Sequence, residues 1–281
     1  MKVNYGGFVP VSTVDWRGRA VCVVFLRGCP IRCSYCQNVQ LQTGEDLREL
    51  DEVIQMIQDS TLLVTGVVFS GGEPTMQQES LTALCTSAKT EGLLVALQTN
   101  GAYPNALQSL ISNRLIDRVA LDIKTPWEWF GKDLPGNYLD RVKRSLRICK
   151  DARDAGILCE FEIVFTLFPG DIRPVDGTSS RKKKQQNPQD FEDLLDMAGS
   201  SEIVLQQGEL KRPWEFWDSS TKIDGVSYRT EKEVRGYTAP LTLEELKRVA
   251  DRMGRRVRIR TREEGEVTYA GRRNSGPARK R

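Results

Sequence analysis

Val21-Cys22-Val23-Val24-Phe25-Leu26-Arg27-Gly28-Cys29-Pro30-Ile31-Arg32-Cys33-Ser34-Tyr35-Cys36 is the stretch that sets the fold and the chemistry of this chain. Its first six residues form a short, β-branched, apolar run with the composition of a buried strand. The rest is a tight loop with thiols at Cys29, Cys33 and Cys36, spaced Cys-x3-Cys-x2-Cys. Three thiolates so close in sequence can converge on one inorganic core. A [4Fe-4S] cluster held by four cysteines carries electrons; one held by three leaves an iron open to an outside ligand.

Two other readings of the loop compete. A zinc site is usually completed by four Cys or His ligands. The chain has no histidine, so zinc would need a remote cysteine. A disulfide framework fits poorly with 281 residues, seven cysteines and no secretion signal. The other four, Cys22, Cys85, Cys149 and Cys159, are scattered among apolar residues and read as small buried hydrophobes.

Hydrophobic residues make up 39% of the chain, ample for a core, and no run approaches the roughly 18 apolar residues of a membrane span. These features predict a cytoplasmic chain without a membrane partner. The net charge of +3 hides an asymmetry: residues 251–281 carry eleven Lys/Arg against four Asp/Glu, leaving about −4 over the first 250. The segment 263–281 reads as a basic, disordered tail. Such a tail could touch nucleic acid or an acidic partner, but a solvated end is the preferred reading.

Strand-like runs at 20–26, 65–69, 94–98, 118–123, 158–166 and 202–207 alternate with helical stretches near 48–59, 77–91, 104–113, 138–155 and 188–198. Repeated βα units predict an α/β fold with a parallel sheet. Six units are too few for a closed eight-stranded barrel and fit an open six-unit (βα)6 partial barrel. The expected core spans 1–210, with a flexible polar insertion at 170–189. A covering segment at 211–262, with a helix (242–253) and a strand (256–261), follows.

Ligand-binding residues gather at the carboxyl ends of parallel strands. The second strand ends in Ser70-Gly71-Gly72-Glu73-Pro74-Thr75, whose glycines permit close backbone approach to a ligand; an ordinary strand-to-helix turn reads the same way. The third ends in Gln98-Thr99-Asn100-Gly101 and the fourth in Asp122-Ile123-Lys124. Asp122 and Lys124 share one strand face and could pair with each other or hold a zwitterionic ligand. The sixth ends at Leu205-Gln206-Gln207, where amides could line a cavity.

With these motifs in order, together with Gly6-Gly7-Phe8, the chain resembles the radical S-adenosylmethionine (SAM) superfamily over residues 3–210. Within it, the chain resembles the activating enzymes of anaerobic ribonucleoside-triphosphate reductase and pyruvate formate-lyase. The resemblance implies a [4Fe-4S] cluster on Cys29, Cys33 and Cys36. It also implies SAM contacts from Tyr35, Gln37, Gly71, Gly72, Glu73, Pro74, Asn100, Asp122, Lys124 and Gln206. It implies reductive cleavage of SAM, with an electron from a reduced flavodoxin- or ferredoxin-type donor, and a radical passed to a glycine of a partner enzyme, anaerobic ribonucleotide reductase. Gln37 stands where the family usually has histidine, Gly208 near the place of another, and Val164 where a basic residue is common. No cysteine-rich ferredoxin-like segment is present, so one cluster is expected. The rival readings are a radical SAM enzyme acting on tRNA, a peptide or a small molecule, and a non-enzymatic metal or electron-transfer module.

Overall fold

The computed structural model describes residues 1–31, 33, 35–124, 137–168, 188–209 and 239–272. They divide into two compact units, one of Met1–Arg32, Asn38–Ile163 and Pro188–Ser201, the other of Cys33–Gln37, Val164–Asn187 and Glu202–Arg281.

In the first unit, strands β2 (Val21–Leu26), β4 (Gly66–Gly71), β5 (Leu94–Thr99) and β6 (Arg118–Ile123) lie side by side and parallel. Their registers run Val23 to Val68, Val68 to Ala96 and Leu97 to Val119. Almost every residue of these strands is buried, which is why they read as continuous apolar runs rather than alternating ones. β1 (Lys2–Ser12) pairs antiparallel with β2, and the three-residue β3 (Leu47–Glu49) pairs antiparallel with β1.

The helices of this unit are α1 (Leu50–Ser60), α2 (Gln78–Thr90), α3 (Pro104–Ser112), α4 (Tyr138–Asp154) and α5 (Pro188–Ala198). α1 buries Leu50, Val53 and Ile57, and α4 buries Val142, Leu146 and Cys149, each an i, i+3 or i+4 stripe. Pro104 opens α3, where its missing N–H costs nothing. Asn137 caps α4 by accepting from Leu139 N at 3.0 Å.

The second unit holds β8 (Glu202–Gln207) parallel to β9 (Arg256–Thr261), with β10 (Gly265–Ala270) antiparallel to β9. Its helix α6 (Leu243–Met253) begins with a reciprocal Thr242–Glu245 capping box and ends at Gly254 in the left-handed region. β7 (Glu160–Leu167) crosses the division between the units. Along the chain, six strand-then-helix repeats follow one another, the α/β class expected from the sequence.

Three strands depart from expectation. β1 and β3 were not expected, and β10 occupies residues 265–270 of the stretch read as a disordered tail. The charges around β10 are paired rather than solvated: Arg260 and Arg258 both reach Glu266, at 2.8 and 2.9 Å. Cys159 also departs, being exposed rather than buried. The expected insertion lies outside the described residues except for 188 and 189, which open α5. Residues 211–238 of the expected covering segment and residues 273–281 of the expected tail also lie outside them. Among the described residues no helix is long and apolar enough to cross a membrane.

Candidate cofactor site at the strand ends

The cysteine loop leaves β2 through Gly28, whose φ of 98° suits a residue without a side chain. Gly28 N donates to Leu41 O at 2.8 Å and Cys29 N to Gln42 O at 3.1 Å, tying the loop to the single turn Val39–Leu41. Arg27 reinforces this from the other side: its guanidinium donates to the carbonyls of Gln40, Thr43 and Tyr5. Cys29 is thereby held with 9% of its surface exposed.

The end of β4 docks onto the same loop. Gly72 N donates to Leu26 O at 2.8 Å and Glu73 N to Gly28 O at 2.7 Å, extending the parallel ladder past the strand. A Cβ on Gly71 would lie 2.3 Å from Leu26 O, and one on Gly72 2.2 Å from Gly28 O. The glycine pair is thus demanded by the chain's own backbone at the root of the cysteine loop. Asn38 adds an amide contact to Gly71 O at 3.4 Å.

Glu73 is fully buried, and its oxygens are committed to donors of this chain. One accepts from Thr75 N at 3.1 Å, from the Thr75 hydroxyl and from the Thr99 hydroxyl at 2.7 Å; the other accepts from Asn100 N at 2.7 Å. Burial raises its carboxyl above the usual range against the opposing pull of these donors. The Glu73 side chain thereby joins the ends of β4 and β5. Pro74 is buried as the first residue of the turn Pro74–Gln77.

Asn100 inherits its position from Glu73. Its Oδ1 accepts from Ala102 N at 3.0 Å and its carbonyl from the Tyr138 hydroxyl at 2.8 Å. Its Nδ2 donates to the Cys29 sulfur at 3.7 Å. Around it, Ser145 and Arg141 of α4 hold the carbonyls of Gly101 and Ala102.

At the end of β6, Lys124 donates to Asp122 Oδ2. Asp122 Oδ1 is buried and finds no hydrogen-bond partner among the described residues. The pair is made, and one carboxylate oxygen is left over for a further donor.

In the second unit, Cys36 N donates to Cys33 O at 3.1 Å, and the Tyr35 ring packs on Phe168 with centroids 4.5 Å apart. Gln37 is exposed. Gln206 Oε1 accepts from Arg260 at 3.2 Å. Gly208 sits where a Cβ would lie 2.6 Å from the Phe168 ring. The described residues hold no ready group of three or more Cys, Asp or Glu side chains at metal-holding spacing; the triad rests on its spacing in the loop. Arg27, Asn38 and Tyr138 were not foreseen in the sequence. Arg27 alone carried a signal, as a base directly before the loop glycine.

The sequence pattern of the radical SAM superfamily matches residues 23–171. A Methanocaldococcus jannaschii protein named as a glycyl-radical enzyme activating enzyme is 37% identical over 128 residues, 44% of this chain and 51% of the relative. The pyruvate formate-lyase 1-activating enzyme of Escherichia coli K12 is 32% identical over 128 residues, 42% of this chain and 50% of the relative. The chain spans about half the length of these curated relatives. In fold it is similar to the solved structure of TYW1 with a lysine-pyruvate adduct bound, with TM-score 0.53 and 12% identity over 89% of this chain and 80% of that one.

Proposed function

The chain belongs to the radical SAM superfamily, and from that premise we propose that it activates a glycyl-radical enzyme, with an anaerobic ribonucleoside-triphosphate reductase as its partner. The observation that carries this reading is the 37% identity to a protein named for that activity. The matched family segment contains the cysteine loop, the Gly71–Pro74 turn, Asn100, Asp122 and Lys124.

The donor set suits a [4Fe-4S] cluster. Cys29, Cys33 and Cys36 lie in one short loop, and three cysteines leave one iron for SAM. When bound, the cluster supplies the electron that cleaves SAM reductively; a flavodoxin- or ferredoxin-type donor would provide it. The chain's own task is to hold and orient. Gly28, Gly71 and Gly72 let the β2 and β4 ends pack backbone against backbone, which fixes Cys29. The uncommitted oxygen of Asp122 suits an ammonium or hydroxyl donor of SAM.

The test is direct. Anaerobically reconstituted protein, SAM, a reductant and the reductase should give 5′-deoxyadenosine and a glycine-centred doublet by electron paramagnetic resonance on the larger protein. SAM cleavage with no such signal, accompanied by modification of tRNA or a peptide, would move the chain to another branch of the superfamily.

A further inference from the structure

The Glu73 carboxylate and the Cys29 sulfur are joined through one residue. Glu73 holds the backbone of Asn100 at 2.7 Å, and the Asn100 amide reaches Cys29 Sγ at 3.7 Å. Every other polar group of Asn100 is also fixed, by Ala102 N and the Tyr138 hydroxyl. The residue is 6% exposed and Glu73 not at all. With its backbone held at both polar groups and its side-chain oxygen at one, the residue has little freedom to point its amide elsewhere. Its single remaining donor group faces a cysteine that the sequence independently marks as a metal ligand.

We infer that Asn100 is a positioning residue for the redox centre: its amide donates to the Cys29 sulfur and raises the reduction potential of the cluster that Cys29 ligates. Glu73, with Thr75 and Thr99, is the buried clamp that aims it. The physical reason is that an N–H donor withdraws electron density from a thiolate, easing addition of an electron to the attached iron. This deepens the proposed function and rests on cluster ligation by Cys29.

The experiment is a redox titration of anaerobically reconstituted wild type, Asn100→Ala, Asn100→Asp and Glu73→Gln, with iron content and thermal unfolding measured on each. Asn100→Asp keeps the oxygen that accepts from Ala102 N but replaces the donor with an acceptor and adds negative charge, so Asn100→Ala reads the loss of the donor and Asn100→Asp should shift further the same way. Both Asn100 variants should bind iron as wild type does and show more negative midpoint potentials. Glu73→Gln should shift the potential in the same direction, and its combination with Asn100→Ala should add little beyond the single change. If Glu73→Gln does not fold, Thr99→Val loosens the same clamp and stands in for it. Iron-loaded Asn100→Ala with the wild-type potential would overturn the inference. So would loss of iron from both Asn100 variants while Cys85→Ala keeps it, because Asn100 would then be holding the loop rather than tuning the cluster. Failure of the wild type itself to bind iron would strike the proposed function instead, a separate and recognisable outcome.

Discussion

Arg118 and Glu162 form an ion pair at 2.6 Å with side chains only 7% and 8% exposed. Arg118 opens β6 and Glu162 lies in β7, and the guanidinium also lies 5.6 Å from the centre of the Trp16 ring. Trp16 is itself 1% exposed and donates to Glu160 at 2.9 Å. A charge pair so enclosed is held as a unit, since removing one partner strands the other in an apolar setting.

Arg118→Met should therefore destabilise the chain by about 3–5 kcal/mol. Arg118→Met with Glu162→Leu should recover most of that loss. Urea unfolding of the two variants decides it, and a double variant as unstable as the single one would contradict this account of the pair.

Gly72→Ala should cost about 2 kcal/mol or more, because the new methyl forces the loop off Gly28 and breaks two backbone hydrogen bonds. Gly92→Ala is the control: Gly92 has φ 76° but open space around it. Its cost should be limited to left-handed strain of roughly 1 kcal/mol. Thermal unfolding should rank Gly72→Ala as the worse change; equal costs would remove the steric argument.

Thiol labelling separates the cysteines. Burial pushes the Cys22 thiol to about 11 and raises those of Cys85 and Cys149 further. Thiolate is the reactive form, so at pH 8 Cys22 presents only about a thousandth of its population to an alkylating agent. Iodoacetamide followed by peptide mass mapping should modify exposed Cys159 and leave Cys22, Cys85 and Cys149 untouched until denaturant is added. Modification of Cys85 in the folded chain would show that α2 opens readily.

Asp122→Ala should weaken SAM binding by about tenfold or more, the worth of a charge-assisted hydrogen bond. Cluster absorbance should stay unchanged. Equilibrium dialysis against the loaded protein tests it. Normal affinity in a less stable variant would make the Asp122–Lys124 pair purely structural.

Much of the fold was legible because buried parallel strands spell themselves out as unbroken apolar runs. Val21–Leu26 and the centre of β4 are such runs, and Pro104, Asn137 and Thr242 mark helix starts by their own chemistry. β1 was not legible: Gly6, Gly7 and Pro10 break its pattern, and its pairing is set by β2. Gly6 is required there only because a Cβ would sit 2.9 Å from Phe25 O. At the site, the cysteine spacing and the strand-end motifs could be read locally. The role of Glu73 could not, because its partners Thr99 and Asn100 lie 26 and 27 residues away.

The way Glu73 spends its oxygens also bears on protein engineering. Saturation mutagenesis scored by turnover would flag this position as strictly as any cofactor ligand, yet the losses would pass through the strand ends and the Asn100 backbone that Glu73 holds. An oxygen that still awaits a partner is found instead at Asp122. Glu73 is better left alone as a fastener between two neighbouring strands.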